Sequence, residues 1–128
     1  MSDTTHATAV LAAINAQMTG GRLAYEVDSL PTPRPDEYVE VTVSRRAGNP
    51  FRFDGRSDIG GWRVTTRPVS AVSVKNVRTM QAQVATALEG VCLSIGAKYS
   101  TPTQFETAEP VAPDDRWFSA LTAWTYAL

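Results

Sequence analysis

The order of apolar and polar positions along the chain predicts two helices. In the first, over residues 3–18, apolar residues recur at spacings of three and four and therefore share one side of a helix. A second stripe of this kind predicts a helix over Ser73–Glu89, which Ser73 opens and Gly90 stops. The first stripe consists of Ala7, Val10, Leu11, Ile14 and Met18, and the second of Val77, Met80, Val84, Leu88 and Val91.

Alternation with a period of two predicts half-buried strands. The clearest example places Val39, Val41 and Val43 on one face and polar residues on the other. The predicted strands cover residues 23–28, 38–44, 62–70, 91–95 and 103–109.

The uncharged C-terminal segment, Trp117–Leu128, fits a helix and a strand by periodicity. Its aromatic and threonine content favours a strand. An apolar strand at an open edge would aggregate, so we expect this one to be central in the sheet or sealed by another subunit.

Two segments interrupt the regular pattern. Prolines at positions 31, 33 and 35 predict an extended connection. Residues 45–61 are dominated by turn formers and predict an oversized hairpin tip, which is a length usually associated with function or disorder. The chain is thus expected to be one domain over 1–128 of α+β class, with two helices on one face of a mostly antiparallel sheet, in the order α-β-β-long loop-β-α-β-β.

Composition narrows the possible functions. The chain has 128 residues, 43% of them hydrophobic and 20% charged, which is a globular balance. With one cysteine and one histidine, an intrachain disulfide is impossible and most metal sites and histidine-based triads are excluded. No signal peptide is expected from the N-terminal residues, and no apolar stretch is long enough to predict a membrane span.

Charge is unevenly distributed along the chain. The net charge is −1, yet residues 44–78 contain eight of the twelve Lys and Arg residues and two of the thirteen acids. This pattern favours two faces of opposite sign and head-to-tail self-association, although chance clustering on a solvated surface would look the same. The net charge of −1 argues against a dedicated DNA-binding protein, which would usually be basic.

The sequence does not assemble an active site. No phosphate-binding loop is present, and the acid pairs Asp36-Glu37 and Asp114-Asp115 flank prolines and are predicted to be solvated loop carboxylates. Cys92, between two apolar residues, is predicted to be a buried and inert thiol. We therefore expect no enzyme activity, no cofactor and no metal.

The whole chain resembles the tail terminator (tail-completion) proteins of siphovirus-type phages, especially those of actinobacterial hosts. The resemblance lies in the order of features: an N-terminal helix, a strand, the proline-rich link, the strand beginning at Tyr38, the Gly/Arg-rich loop, a returning strand with Arg67-Pro68, and a helix closing on Ala87–Gly90. A late Asp114–Phe118 segment then enters the Thr/Trp-rich terminal strand.

The resemblance implies a structural virion protein that is assembled in the host cytoplasm. Subunits would close into a ring, usually a hexamer, that ends tail-tube growth at the head-proximal end and joins the tail to the head connector. The implied partners are other copies of the chain, the tail tube protein and a head completion protein, while genomic DNA passes through without specific binding. A ring needs two complementary patches on each subunit, which the charge segregation could supply.

The interpretation as a ring-forming virion protein predicts two sets of site residues. Glu26, Asp28 and Glu40 are predicted to face the channel, where like charge would keep DNA phosphates from binding. The predicted subunit-interface residues are Arg46, Phe51, Arg52, Phe53, Arg56, Trp62, Trp124 and Tyr126.

Two alternatives remain open. The chain could be another head-tail connector component, such as a stopper or neck adaptor. It could also be a small α+β ligand-binding domain, with a closed cavity lined by Trp62, Trp124, Tyr126 and a buried acid.

Overall fold

The computed structural model describes residues 3–45 and 61–128, and these form two helices and nine strands. The α+β class predicted from the sequence is confirmed. Within the described residues, no helix is long and apolar enough to cross a membrane. The elements are α1 (Asp3–Asn15), β1 (Ala24–Glu26), β2 (Glu37–Arg45), β3 (Gly61–Ser70), α2 (Val74–Leu88), β4 (Cys92–Ile95), β5 (Lys98–Pro102), β6 (Gln104–Ala108), β7 (Ala112–Asp114), β8 (Trp117–Ser119) and β9 (Thr122–Ala127).

Helix α2 lies where its apolar stripe predicts. The Ser73 hydroxyl accepts a hydrogen bond from the Asn76 backbone N–H (3.2 Å), which caps the first turn. The helix ends at Leu88, and Gly90 follows with a φ of +71°, a left-handed conformation that glycine adopts readily. Its buried face comprises Val77, Met80, Val84, Ala87 and Leu88.

Helix α1 ends at Asn15 rather than at the predicted residue 18. The Asn15 side chain turns to the backbone of Ala24, which follows two glycines with positive φ. The predicted stripe is otherwise present, since Val10 and Ile14 are fully buried and Leu11 and Met18 pack against the core.

The main sheet is centred on β3. Its neighbour on one side is β2, in an antiparallel register from Glu37 opposite Ser70 to Arg45 opposite Trp62. On the other side β3 pairs with β9 along residues 61–66 and with β8 at Val69 and Ser70. Strand β1 is parallel to β2, while the other pairs are antiparallel. The predicted hairpin is therefore present, and its connecting residues 46–60 lie outside the described part of the chain.

The predicted strand order fails after α2. The predicted order places two strands there, and the separate patterns of 91–95, 103–109 and 117–128 predict three, whereas the structure has six. Strands β5 and β7 were missed because each is short and carries a proline, and their alternation is weak: β7 is exposed throughout. A tight turn with Gly96 at a φ of +61° joins β4 to β5.

The C-terminal segment is a strand, as favoured from the sequence, but Ala120 and Leu121 divide it into β8 and β9. Strand β9 lies between β3 and β6, so it is central and its apolar side chains are covered. This agrees with the expectation that an uncharged aromatic strand would avoid an open edge.

Cys92 corrects a prediction. Its thiol is exposed, because β4 turns Leu93 and Ile95 into the core and presents the alternate positions outward. Apolar neighbours in the sequence therefore do not indicate burial at this position.

Candidate interaction surface

The described residues contain no cluster of side chains suited to a metal ion. Across 3–45 and 61–128, no group of three or more His, Cys, Asp or Glu residues is arranged to bind a metal ion. The polar groups described below form pairs and small clusters within the chain, on the sheet and its edges.

Three aromatic rings stack beneath the start of α1. The His6 ring lies on Trp62 with centroids 3.6 Å apart and planes 16° apart, and the Tyr126 ring lies nearly parallel at 5.8 Å from His6. A hydrogen bond of 2.6 Å joins His6 Nδ1 to the Tyr126 hydroxyl. Burial raises the pKa of Tyr126, which keeps the phenol neutral.

This stack changes the interpretation of three predicted interface residues. Trp62, Trp124 and Tyr126 are 3–4% exposed within the single chain. A side chain already covered in its own chain has almost no surface to offer a second subunit, so these three residues are not part of the proposed interface.

Trp124 contacts a buried residue, Thr66, and a partly exposed one, Phe105. Its indole N–H donates to Thr66 Oγ1 (3.2 Å), and the edge-to-face Phe105 ring on β6 lies 5.9 Å away. Phe105 is 54% exposed, so one side of its ring packs on Trp124 while the other remains available.

The face of the sheet opposite the core carries a second cluster. The Arg34 guanidinium lies 3.7 Å over the Trp117 ring, and its Nε donates to the Tyr38 hydroxyl (2.7 Å). Burial raises the pKa of Tyr38, an effect that Arg34 opposes and Glu40 reinforces. The cluster fixes the end of the proline-rich link against the sheet.

A shallow pocket of about 140 Å³ lies beside this cluster and has a strongly mixed lining. It contains two guanidinium and two carboxylate groups, which makes it a polar concavity rather than an apolar ligand cavity. The lining residues are Arg34, Glu40, Arg67, Val69, Asp114, Trp117 and Ser119.

The three predicted channel residues do not share one face. Glu26 is in register with the buried Val41, whereas Glu40 is one position earlier on β2 and therefore projects to the opposite face. Asp28 is exposed in the turn after β1. Glu26 and Asp28 lie on and just after the edge strand β1, and Glu40 lies on the neighbouring strand β2, so the three carboxylates do not form a common surface.

The remaining predicted interface residues lie outside the described residues: Arg46, Phe51, Arg52, Phe53 and Arg56. Arg45, at the base of the same segment, is described, and its guanidinium lies 5.2 Å from the Trp62 ring.

Sequence reasoning missed His6 and Asn15. His6 falls four residues before Val10 and eight before Ile14, so helical spacing already placed it on the buried stripe. No sequence signal marked Asn15, because its partner is the backbone of Ala24.

Comparison with known proteins identifies the fold. No family model matches the sequence, and no curated protein matches it. Among solved structures, a chain from the virion of a native gene transfer agent (GTA) particle has a TM-score of 0.68 at 12% identity, over 94% of this chain and 91% of that one. A second solved chain, whose name states no function, has a TM-score of 0.71 at 13% identity, over 99% of this chain and 95% of that one. The likeness covers nearly the whole chain and establishes a shared α+β fold.

Proposed function

We propose that this protein is a structural virion component that forms a ring at the head-proximal end of a phage-type tail tube. The ring would end tube polymerisation and join the tail to the head connector. The single observation that carries the proposal is the fold shared, over 94% of the chain, with a chain of a GTA virion particle. The proposed role is non-enzymatic, its location is the virion, and its partners are further copies of the chain, the tail tube protein and a head completion protein.

The charge distribution supports a ring over a solitary subunit. A closed ring is a heterologous interface, in which each subunit presents two unlike patches. Residues 44–78 carry eight cations against two acids, and the rest of the chain is correspondingly acidic. Such segregation favours contacts between unlike surfaces of successive copies.

The segment 45–61 is the proposed grip on the adjacent subunit. Permanent interfaces often bury about 2,000 Å² or more, and a long segment that reaches a neighbour adds area readily. Its contributing residues are proposed to be Arg46, Phe51, Arg52, Phe53 and Arg56.

The proposed channel lining is Glu26, Asp28 and Glu40. Since Glu26 and Glu40 lie on opposite faces of the sheet, all three can border one channel only if the β1 edge points toward it. A map of the assembled ring with the β1 edge on its outer rim would contradict this part of the proposal.

The mass of the full chain in solution tests the proposal. We expect a closed species of about six times the 13.9 kDa chain mass, with a ring visible by electron microscopy. A monomer or dimer at micromolar concentration would overturn the ring and favour the alternative of a small ligand-binding domain. A ring that binds purified head connector but does not stop tube growth would instead indicate a stopper or neck adaptor.

A deletion tests the segment separately. Removing residues 48–60 should leave a folded monomer, because the paired strands β2 and β3 end outside the deleted residues. A matched variant, with the same residues replaced by an equally long Gly/Ser spacer, separates loss of contacts from altered hairpin closure. An intact ring in either variant would refute the role of the segment.

A further inference from the structure

The face of the main sheet opposite the core has a charged centre. Glu40 on β2 and Arg67 on β3 are partners in the antiparallel register, and both project to this face because their neighbours along the strands face the core. Two concavities, of about 200 Å³ and about 140 Å³, are each lined by both residues. The two concavities therefore adjoin at Glu40 and Arg67.

Arg67 is partly buried, yet no ion pair joins it to a carboxylate of the described residues. Arg63 is the informative comparison, because it lies on the same strand and the same face, and two of its guanidinium nitrogens are bound by Glu106. A partly buried guanidinium has lost some of its hydration. An unpaired one therefore favours an acceptor from outside the chain, most strongly a carboxylate that it can bind at two nitrogens.

Arg34 brings a second guanidinium to the smaller concavity. The guanidinium carbon lies 3.7 Å from the centre of the Trp117 ring, and Nε donates to the Tyr38 hydroxyl (2.7 Å). The two terminal nitrogens have no carboxylate partner among the described residues. A guanidinium held in place in advance loses little conformational entropy when it binds an anion.

The size and charge of the smaller concavity indicate what fits it. Its volume of about 140 Å³ is below the roughly 300 Å³ at which small-molecule sites begin, so it accommodates one side chain. Its two guanidiniums are balanced by Glu40 and Asp114, and this balance gives the phosphates of DNA no net attraction. Asp114 is exposed, so solvent screens its charge, whereas the planar guanidiniums match a carboxylate in shape.

Other copies of the chain supply suitable side chains. Outside residues 44–78, the chain carries eleven acids and four Lys or Arg residues. In a ring, each copy presents an arginine pocket and an acidic surface, and the pocket of one copy meets the acids of the next. The exposed acids that form no ion pair within the described residues, Asp114 apart, are Asp28, Asp36, Glu89, Glu109 and Asp115.

We infer that Arg34 and Arg67 bind an acidic side chain of the neighbouring copy; this inference rests on the proposed function. One such contact buries far less than the roughly 1,000 Å² of a specific interface, so it fixes orientation while other surfaces supply the area. Arg67→Ala should raise the dissociation constant between copies about 30-fold or more, since it removes one partner of a desolvated charge pair. Arg63→Ala, whose partner lies in its own chain, should change that constant less than about threefold.

A cross-link of zero length identifies the bound carboxylate. Arg67→Lys places an amine in the pocket, and a carbodiimide then joins this amine to a carboxylate in contact with it. Rings are assembled from equal parts of isotope-labelled and unlabelled protein, and the linked peptides are analysed by mass spectrometry. We expect linked peptides of mixed labelling that join position 67 to an acid of another copy. Arg63→Lys is the matched control and should link only to Glu106 of its own chain.

The outcomes separate the inference from the proposed function. Native mass of the wild type shows whether a ring forms, and its absence overturns both. A ring in which position 67 forms no link, or links only to Glu40 or Asp114 of its own chain, overturns the inference alone. An unchanged dissociation constant for Arg67→Ala does the same. Urea unfolding of the Arg67→Ala chain should match the wild type, and a large loss of stability would overturn the inference by showing that Arg67 supports the fold.

Discussion

Glu37 joins three segments at one end of the sheet, and its charge should be worth a measurable share of stability. One carboxylate oxygen accepts a hydrogen bond from Arg22 Nε (3.2 Å), and the other accepts one from the Ser70 hydroxyl (2.9 Å). Ser70 Oγ in turn accepts the backbone N–H groups of Val72 (3.0 Å) and Ser73 (3.3 Å). The network fixes the starts of β2 and α2 relative to each other.

Replacing Glu37 by Gln keeps the shape and removes the charge. Both side chains of the ion pair are 18% exposed, so solvent screens the pair only partly. Hydrogen bonds to charged groups exceed neutral ones by about 1 kcal/mol each, which predicts a loss of about 2 kcal/mol for Glu37→Gln. At about 2.1 cal/mol/K per residue of unfolding entropy, this corresponds to a fall in Tm of about 7 °C.

The pH dependence of the stability difference shows whether the charge of Glu37 is its cause. Burial opposes ionisation of Glu37, but hydrogen bonds from Ser70, Asn76 and Arg22 outweigh it and lower the pKa below the ordinary value of 4.5. A lowered folded-state pKa gives stability that is present above 4.5 and is lost as the pH falls through the folded-state pKa. The difference between wild type and Glu37→Gln should therefore be full at neutral pH and shrink in acid.

Urea unfolding of both proteins across this pH range is the measurement. Asp28→Asn is the matched control, because Asp28 is an exposed turn carboxylate and its loss should change stability by less than about 0.5 kcal/mol. A Glu37→Gln deficit that persists unchanged in acid would show that the carboxylate charge is not the source of the stability, and the reasoning would fail.

Three further predictions follow from single contacts. Tyr126→Phe removes the hydroxyl bonded to His6 and should lower the free energy of unfolding in urea by about 1–2 kcal/mol. Because the folded-state pKa of Tyr126 is raised, the wild type should lose stability as the pH rises above 10, and the Tyr126→Phe variant should lose less. Asn15→Ala uncovers the β1 backbone, so faster amide exchange at Ala24 and more light scattering on heating are expected, and unchanged exchange would count against the cap. Gly90→Ala should cost about 1–2 kcal/mol through backbone strain alone, since an added Cβ would meet no atom within 4 Å; a neutral result would contradict that account.

The sequence predicted those elements whose burial has a regular period. Helix α2 is specified by its apolar stripe, Ser73 and Gly90, and each of these signals is local. The β2–β3 pair could also be predicted, because apolar and polar residues alternate over most of both strands, although burial is continuous at Tyr38–Val39 and at Pro68–Ser70. Fold class follows from such elements, since two amphipathic helices need one face of a sheet to cover them.

The later strands could not be predicted, because tertiary pairing rather than periodicity creates them. Strand β7 exists through its register with β8, and its three residues are exposed throughout. The aromatic residues were recognised as important, but their burial was not predicted. Trp62 and Trp124 belong to the core cluster, and each contacts a ring far away in sequence, His6 and Phe105 respectively. Contacts between residues far apart in sequence leave no local pattern to detect.

The unlike edges of the sheet bear on how a ring of this chain would assemble. An interface between two identical edges would form a two-fold dimer and stop, whereas a ring requires that an acceptor on one copy meets a different donor on the next. In the described residues β1 is capped by Asn15 and β7 carries a proline, while β6 is exposed along its length. Since every copy carries the same β6 edge, a ring requires β6 to meet a different surface of the next copy, and the opposite charges of 45–56 and 103–115 favour contacts between unlike segments. Exchanging those charges between the two segments should therefore preserve association, whereas reversing one segment alone should abolish it.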